Sequence, residues 1–326
     1  MGNVKQKQTT IENGGELNSN IHQFSVECIT KTVHPSHYIN QFHLKNMIGD
    51  NSEVLSNVYF TRLEVSNDGQ YILVYENQNK LLILFDKDRQ LAQIEWNNNN
   101  QLRSLQWSSY FQKFLILSKN HLAKFNCKTY EIEIIPEIKQ TDDPDTSISS
   151  MTTNDDHLIL CHSFGLSLEH WSLSKMKLIR KTENLSKYGD IHEIRLSEPP
   201  SSIMAMNVYS RSDSTFVIDF FDIHSVRRTR RLMPPSSTCA IPCLQFLTVL
   251  PNSNQWIVQI KEFNEYYLLD STTGELKELN LNMMGLEDGE FITHIRLFDN
   301  GKYWTFIRCL EKQDCFDVEL KIVKNE

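Results

Sequence analysis

Three histidines, His34, His37 and His43, fall within the stretch "HPSHYINQFH". Spacings of three and six bring two imidazoles to one side of a turn. Zinc wants a third or fourth ligand in matching geometry, so these side chains read as polar surface histidines. His157 and His162 in "HLILCH" stand five apart. On a strand that spacing sends the two rings to opposite faces, which weakens any joint role. Gly165 to Glu169, "GLSLE", has part of the outline of a nucleophile elbow around Ser167. It lacks the second glycine and sits in a hairpin rather than at a strand-to-helix turn. Cys239 and Cys243 stand four apart, and Cys243 reads as a small core residue. The chain has no GxGxxG, GxxxxGK[ST] or HExxH pattern. Those are the spacings that cradle phosphates or hold a catalytic zinc. No catalytic, cofactor-binding or metal-binding residue is assigned on this basis, no cofactor is implied, and no residue names a partner.

Charge runs carry a second set of possibilities. Arg227, Arg228, Arg230 and Arg231 in "RRTRRL" follow the turn Ile223-His224-Ser225. As a basic cluster they would suit nuclear import or phosphate binding. On an outer strand, alternation separates Arg227 and Thr229 from Arg228 and Arg230. The charges then form no single patch and serve as an edge that discourages sheet stacking. Thr141 to Asp145, "TDDPD", reads as a solvated connection punctuated by Pro144; the stereotyped oxygen spacing of a calcium loop is missing. The run Asn97 to Asn100 is a polar link of the same kind. The net charge of −8 and pI near 5.8 argue against broad nucleic-acid or anionic-membrane binding.

Seven cysteines, Cys28, Cys127, Cys161, Cys239, Cys243, Cys309 and Cys315, form an odd set without a CxxC. No apolar signal segment opens the chain, so a reduced cytosolic or nuclear setting fits. No apolar run approaches the ~20 residues of a membrane span. Gly2 in "MGNVKQKQ" suits N-myristoylation, but Gln6 stands where Ser or Thr is wanted. Residues 1–18 read as a disordered tail ahead of a single domain over 19–326. Asn184-Leu185-Ser186 is a chance glycosylation match without a secretory signal.

The elements that would position any site are strands. Tyr71 to Glu76, "YILVYE", and Leu81 to Phe85, "LLILF", are almost continuously apolar, the mark of strands buried on both faces. In "QLAQIEW", Ala92, Ile94 and Trp96 alternate with Gln93 and Glu95, the pattern of a half-exposed outer strand. Ser66-Asn67-Asp68-Gly69 supplies the hairpin turn. The same plan recurs over 101–135, 147–181, 191–232, 241–281 and 291–324. The second unit ends in a strand with Tyr130, Ile132 and Ile134 opposed to Glu131 and Glu133. Each third strand closes on a large apolar residue followed by a small polar one: Phe85-Asp86, Phe125-Asn126, Trp171-Ser172, Phe221-Asp222 and Leu269-Asp270, spaced 40, 46, 50 and 48 residues apart.

This resembles the WD-repeat family, whose units are four-stranded propeller blades of ~40–45 residues with a Trp-Asp at this place. Here no Trp-Asp remains and no Gly-His opens a unit. The resemblance implies an all-β closed propeller of six four-stranded antiparallel blades, with seven as the alternative. The last unit lacks its outer strand, and an N-terminal segment, "HQFSVECITKTV", supplies one, with Phe24, Val26 and Cys28 on one face. A seventh blade would need residues 36–57, which read instead as a short amphipathic helix with Ile39, Phe42 and Met47 on one side and Gly49 as its stop. Trp107, Trp171, Trp256 and Trp304 fall inside strand patterns and read as packing between blades.

The resemblance implies a non-catalytic protein–protein interaction scaffold or adaptor, a monomeric propeller within a larger complex. A propeller enzyme, hydrolase or lyase, would instead gather several Asp, Glu or His at one end of the channel. A nucleic-acid-associated propeller would show a basic face.

Overall fold

The computed structural model of the chain describes residues 38–48, 61–96, 102–119, 121–139, 147–197, 202–232, 244–250, 255–260, 265–279, 290–299, 301–312 and 315–324. Within these lie six antiparallel sheets of four strands. Blade 1 is β2 (Arg62–Val65), β3 (Ile72–Glu76), β4 (Leu81–Phe85) and β5 (Gln90–Glu95). Blade 2 is β6 (Leu102–Ser108), β7 (Lys113–Ser118), β8 (His121–Phe125) and β9 (Ile132–Lys139). Blade 3 is β10 (Ile148–Asn154), β11 (His157–His162), β12 (Ser167–Ser172) and β13 (Lys177–Glu183). Blade 4 is β14 (Asp190–Leu196), β15 (Ile203–Ser210), β16 (Thr215–Asp222) and β17 (Arg227–Leu232). Blade 5 is β18 (Leu244–Val249), β19 (Gln255–Ile260), β20 (Glu265–Asp270) and β21 (Leu276–Leu279). Blade 6 joins β22 (Glu290–Phe298), β23 (Tyr303–Lys312) and β24 (Cys315–Lys324) to an N-terminal outer strand, β1 (Tyr38–Ile48).

Six blades, not seven, make the ring. The first strands β2, β6, β10, β14, β18 and β22 touch one another in that order, and β22 returns to β2. The continuous apolar runs explain why. All of β3 is buried, as is β4 after its first residue, so each sheet has two faces to cover. Leu63, Val65 and Phe85 pack with Val318, Leu320 and Ile322 of blade 6. Leu73, Tyr75 and Leu84, from the other face of blade 1, pack with Trp107, Phe114 and Ile116 of blade 2. Four further apolar clusters fill the remaining joints between consecutive blades. Trp256 and Trp304 lie in two of them, and Trp171 sits half-buried beside a third. The inward edges of the first strands are satisfied by neighbours: the Ile194 and Leu196 amides donate to the Ser150 and Thr152 hydroxyls at 3.2 and 2.9 Å.

The recurring small polar residue after each third strand has a specific task. The Asp86 carboxylate accepts from the Asp88 and Arg89 amides at 2.7 Å, and Asp270 does the same for Thr272 and Thr273 at 2.7 and 2.8 Å. Asn126 and Asp222 accept from Lys128 and Ser225. These are side-chain-closed turns, which need a short oxygen-bearing residue at that position. The first hairpin is closed by Ser66 and Asp68, and Gly69 takes φ of +69° with Phe298 close behind it; an added Cβ would lie 2.7 Å from that ring.

Three expectations need revision. The helix expected over 36–57 is a strand at Tyr38–Ile48, paired antiparallel with β24, Lys45 opposite Val318. Register shifts between Tyr38 and Asn40 and between His43 and Lys45 break the period of two, so Ile39, Phe42 and Met47 imitate helical spacing. The outer place of blade 6 thus belongs to β1, whereas the segment 22–33, with Phe24, Val26 and Cys28, lies outside the described residues, as does the tail 1–18. In β9 the apolar side chains that turn inward are Ile135 and Ile138; Ile132 and Ile134 are exposed. Alternation separates two faces of a strand without saying which one is covered.

Phe42 packs its ring on Phe85 of blade 1 at a centroid distance of 4.8 Å, so the N-terminal strand also braces the joint between the last blade and the first. Phe42→Ala is expected to cost roughly 2–3 kcal/mol, below the ~3–5 kcal/mol of a fully enclosed aromatic ring. Equilibrium denaturant unfolding monitored by tryptophan fluorescence checks this.

Candidate functional site at the channel mouth

Five of the six inner strands carry a polar residue between neighbours of which the preceding one is apolar: Leu63-Glu64-Val65, Leu105-Gln106-Trp107, Met151-Thr152-Thr153, Ile194-Arg195-Leu196 and Ile295-Arg296-Leu297. Successive side chains on a strand point to opposite faces. Leu63, Leu105, Met151, Ile194 and Ile295 enter the joints between blades. The polar residues between them turn to the channel, where they line a cavity of about 140 Å³. Asn67, Ser109, Asp155 and Ser197, from the turns that follow inner strands, and Asn154 at the end of β10 form its rim.

Charge at this mouth is concentrated on three buried side chains. Glu64, Arg195 and Arg296 are 7%, 6% and 7% exposed. Arg195 Nη1 lies 3.3 Å from Glu64 Oε2, and Arg296 Nε donates to Glu64 Oε1 at 3.1 Å. Arg296 Nη1 also donates to the Ile295 carbonyl at 2.8 Å. Burial first, and the charge of Arg195 second, pull the Arg296 guanidinium down to about 10, with Glu64 and Glu193 opposing. The group stays charged at neutral pH. Deeper along β2, burial likewise lowers Arg62, against the pull of Glu193. On the rim, Asp155 is exposed and accepts from the Ser109 hydroxyl at 3.2 Å. Two guanidiniums thus flank the Glu64 carboxylate, with Glu193 also attracting Arg296 and Asp155 on the rim. A set of converging acids and bases, as a propeller enzyme would use, is not what these three residues form.

Trp107, read from the sequence as packing between blades, also lines this cavity, and none of the described histidine, cysteine or basic-run candidates is among its lining residues. His34, His37, Cys239, Cys243 and the stretches 97–100 and 141–145 fall outside the described residues, and His43 is described only as part of β1. His157 and His162 do diverge. The His157 ring bonds His170 with 2.9 Å between nitrogens, while His162 Nε2 stands 3.4 Å from Glu169 Oε2. "GLSLE" is a hairpin: a single 3-10 turn, Ser163–Gly165, leads directly into β12. The basic run is β17, but its geometry departs from simple alternation. A bulge at Thr229 sets Arg228 opposite Phe221 and Arg231 opposite Asp219, so these two arginines share a face. Both reach the fully buried Asp219: Arg231 donates twice at 2.7 and 2.6 Å, and Arg228 lies at 3.6 Å. The Cys127 and Cys161 thiols are pushed up to about 12, and Cys309 also rises, in each case through burial. They are core residues rather than nucleophiles.

No protein-family model and no curated protein matches the chain. Solved structures do. Kuenenia stuttgartiensis hydrazine synthase aligns with a TM-score of 0.53 at 12% identity, over 76% of this chain and 75% of that one. The β-propeller domain of Myceliophteria thermophila Cps50 (Swd1) gives 0.52 at 14% identity, over 80% and 82%. A chain of the mitotic checkpoint complex gives 0.52 at 10% identity, over 99% and 98%. At such identities the likeness is one of fold, and it agrees with the WD-repeat-like reading of the blades. Among the described residues no helix is long and apolar enough to cross a membrane.

Two outcomes follow from this chemistry. Glu64→Ala leaves two buried guanidiniums facing each other and should lower unfolding free energy by about 3–5 kcal/mol, read by denaturant titration. His170, between blades 3 and 4, is held down at about 4 by burial and then by His157, Arg180 and His224. Its folded pKa lies below the ordinary ~6.5, so the unfolded chain binds the extra proton first. Its contribution is complete above pH ~6.5 and is lost as pH falls toward 4. A His170→Phe variant should show a flatter melting temperature between pH 6.5 and 4.5 than the parent.

Proposed function

We propose that this chain is a non-catalytic interaction scaffold or adaptor, a propeller that docks another protein in a cytosolic or nuclear assembly. One observation carries the reading. The large apolar side chains that stay exposed among the described residues all belong to blades 2 and 3: Tyr110, Tyr130, Ile132, Ile134, Phe164, Leu166, Leu178 and Ile179. Ile134 and Ile179, each 54% exposed, stand on the outer strands β9 and β13 of these neighbouring blades. Single exposed apolar residues are ordinary on a protein surface, but their confinement to one sector of a ring is the distribution expected of a binding surface. The ring adds a physical reason. Its blades are fixed by their joints, so a partner meets a preformed surface and little ordering entropy opposes docking. Carboxylates of Glu131 and Glu137 border the β9 side chains, while Glu133 is already paired with Lys124 and Lys113. That composition suits a partner segment presenting apolar residues flanked by lysine or arginine. The likeness to a chain of a multi-protein complex supports the same reading. The Glu64 carboxylate at the channel mouth is held between two arginines, which supports recognition over acid–base catalysis.

The test is a comparative capture. An Ile134→Asp, Ile179→Asp double variant should melt within about 1 °C of the parent, because both positions are exposed. It should lose a protein that the parent retains, while a control change on blade 5, Lys277→Asp, retains it. Equal capture by the rim variant and the parent would refute the assignment of blades 2 and 3. Concentration-dependent dimerisation abolished by the same changes would replace the foreign partner with a second copy of the chain.

A further inference from the structure

The basic run of blade 4 carries a hydroxyl that the fold sets apart. In β17, Arg228 lies opposite Phe221 and Arg230 opposite Phe220, so Thr229 between them has no cross-strand partner. A residue left over in a bulge is released from the pairing that fixes its neighbours. Those neighbours divide between the two faces. Arg228 and Arg231 turn to the buried Asp219, Arg231 at 2.7 and 2.6 Å and Arg228 at 3.6 Å. Arg227 stands opposite Asp222, and Arg230 reaches Gly274 of blade 5. Thr229 is exposed, as are Arg227 and Arg228. Its hydroxyl donates to the Phe220 carbonyl at 3.1 Å. β17 is the outermost strand of its sheet and is paired on one side only. It therefore presents an extended edge with arginines at the two positions before Thr229 and the two after it.

We propose that Thr229 is a phosphorylation site for arginine-directed protein kinases. Such an enzyme holds an extended substrate segment in an acidic cleft, where guanidiniums beside the acceptor hydroxyl pair with carboxylates. The exposed Arg227 and Arg228 supply them here. Thr229 Oγ1 attacks the γ-phosphorus of ATP. The Oγ1–P bond forms, the bond from that phosphorus to the β,γ-bridging oxygen breaks, ADP leaves, and the hydroxyl proton passes to the catalytic carboxylate of the kinase. The product places a charge of about −1.5 to −2 in the bulge at pH 7. Arg228 has the longer contact with Asp219, so it is the guanidinium that turns to the phosphate, while Arg231 keeps Asp219 paired through two short bonds. The interior of the blade stays matched, and the change in charge is confined to the outer edge. The site lies on blade 4, outside the apolar sector of blades 2 and 3, and does not depend on what that sector binds.

The experiment treats the folded full chain with magnesium ATP and the catalytic subunit of cyclic-AMP-dependent protein kinase, and in parallel with protein kinase C. Intact mass reads the added phosphate, and tandem mass spectrometry reads its position. Thr229 should carry phosphate, and Thr229→Val, which keeps the β-branched shape, should remove that phosphate and no other. Arg227→Gln leaves the contacts of Asp219 in place and should lower kcat/KM for modification of Thr229 by about fivefold or more. The phosphorylated chain should melt within about 2 °C of the untreated one, because Arg231 retains Asp219. No phosphate on Thr229 with either kinase overturns the proposal. So does phosphate on Ser225 in its place, modification only after the chain has been melted, or an Arg227→Gln variant modified as fast as the parent. A much larger fall in melting temperature overturns the exchange assigned to Arg228.

Discussion

Among the described residues every sheet has two apolar faces, and neighbouring sheets cover them. That constraint organises the rest. A blade such as β10–β13 presents Leu158 and Leu160 to one neighbour and Ile159 and Cys161 to the other, so an isolated blade would leave a whole face in water. At the roughly 25 cal/mol per Å² of apolar burial, no short linker or tail could make up the loss. Closing the ring is the solution that leaves no uncovered end, and blade 6 shows its consequence. It is assembled from strands far apart in sequence, with β1 laid against β24 and Phe42 reaching Phe85 of the first blade. The stability of repeat arrays depends on such nearest-neighbour joints; here the N-terminal strand completes blade 6 and braces its joint to blade 1.

The same constraint places the polar chemistry. With both faces of each blade committed to neighbours, charge can enter only at the inner strand, at the turns or on the outer edge. Where it is buried elsewhere it comes already matched. Asp219 is enclosed by Arg231 and Arg228. In blade 6, Arg308 bonds Glu290 and Glu319, and Lys321 joins Glu319 at 3.2 Å. Burial alone would push Glu319 up, but Arg308 and Lys321 more than reverse it and hold the carboxyl below its ordinary range. The channel mouth follows the same rule, with Glu64 held between Arg195 and Arg296.

Much of the fold was legible because period-two patterning and side-chain-closed turns are local. The buried runs of β3 and β4 and the Asp86, Asn126, Asp222 and Asp270 turns all announce themselves within a few residues. What failed was local pattern read through a bulge. Two register shifts in β1 turned a strand into an apparent helix, and one at Thr229 brought Arg228 and Arg231 together where strict alternation parts them. The channel triad was invisible for another reason. Glu64 is 131 residues from Arg195 and 232 from Arg296, and no spacing rule spans blades. A signal did exist. Once the units are superposed, a charged residue following an apolar one recurs at one place in the inner strand, in Leu63-Glu64-Val65, Ile194-Arg195-Leu196 and Ile295-Arg296-Leu297. A charge at the centre of a strand otherwise built for burial is expensive, and its repetition at one register marks the channel.

The rim and the mouth therefore differ in physical kind. On blades 2 and 3, apolar side chains stand in water at the outer edge, where a sheet face is free of its neighbours' demands and area alone governs what binds. At the axis, Glu64, Arg195 and Arg296 hold charge against charge, where hydrogen-bond geometry governs instead. A rigid ring can maintain both because neither borrows stability from the other. The apolar joints between blades lie between them. Ile134 and Arg195 belong to different blades and share no partner among the described residues, so substitutions at the two should act additively.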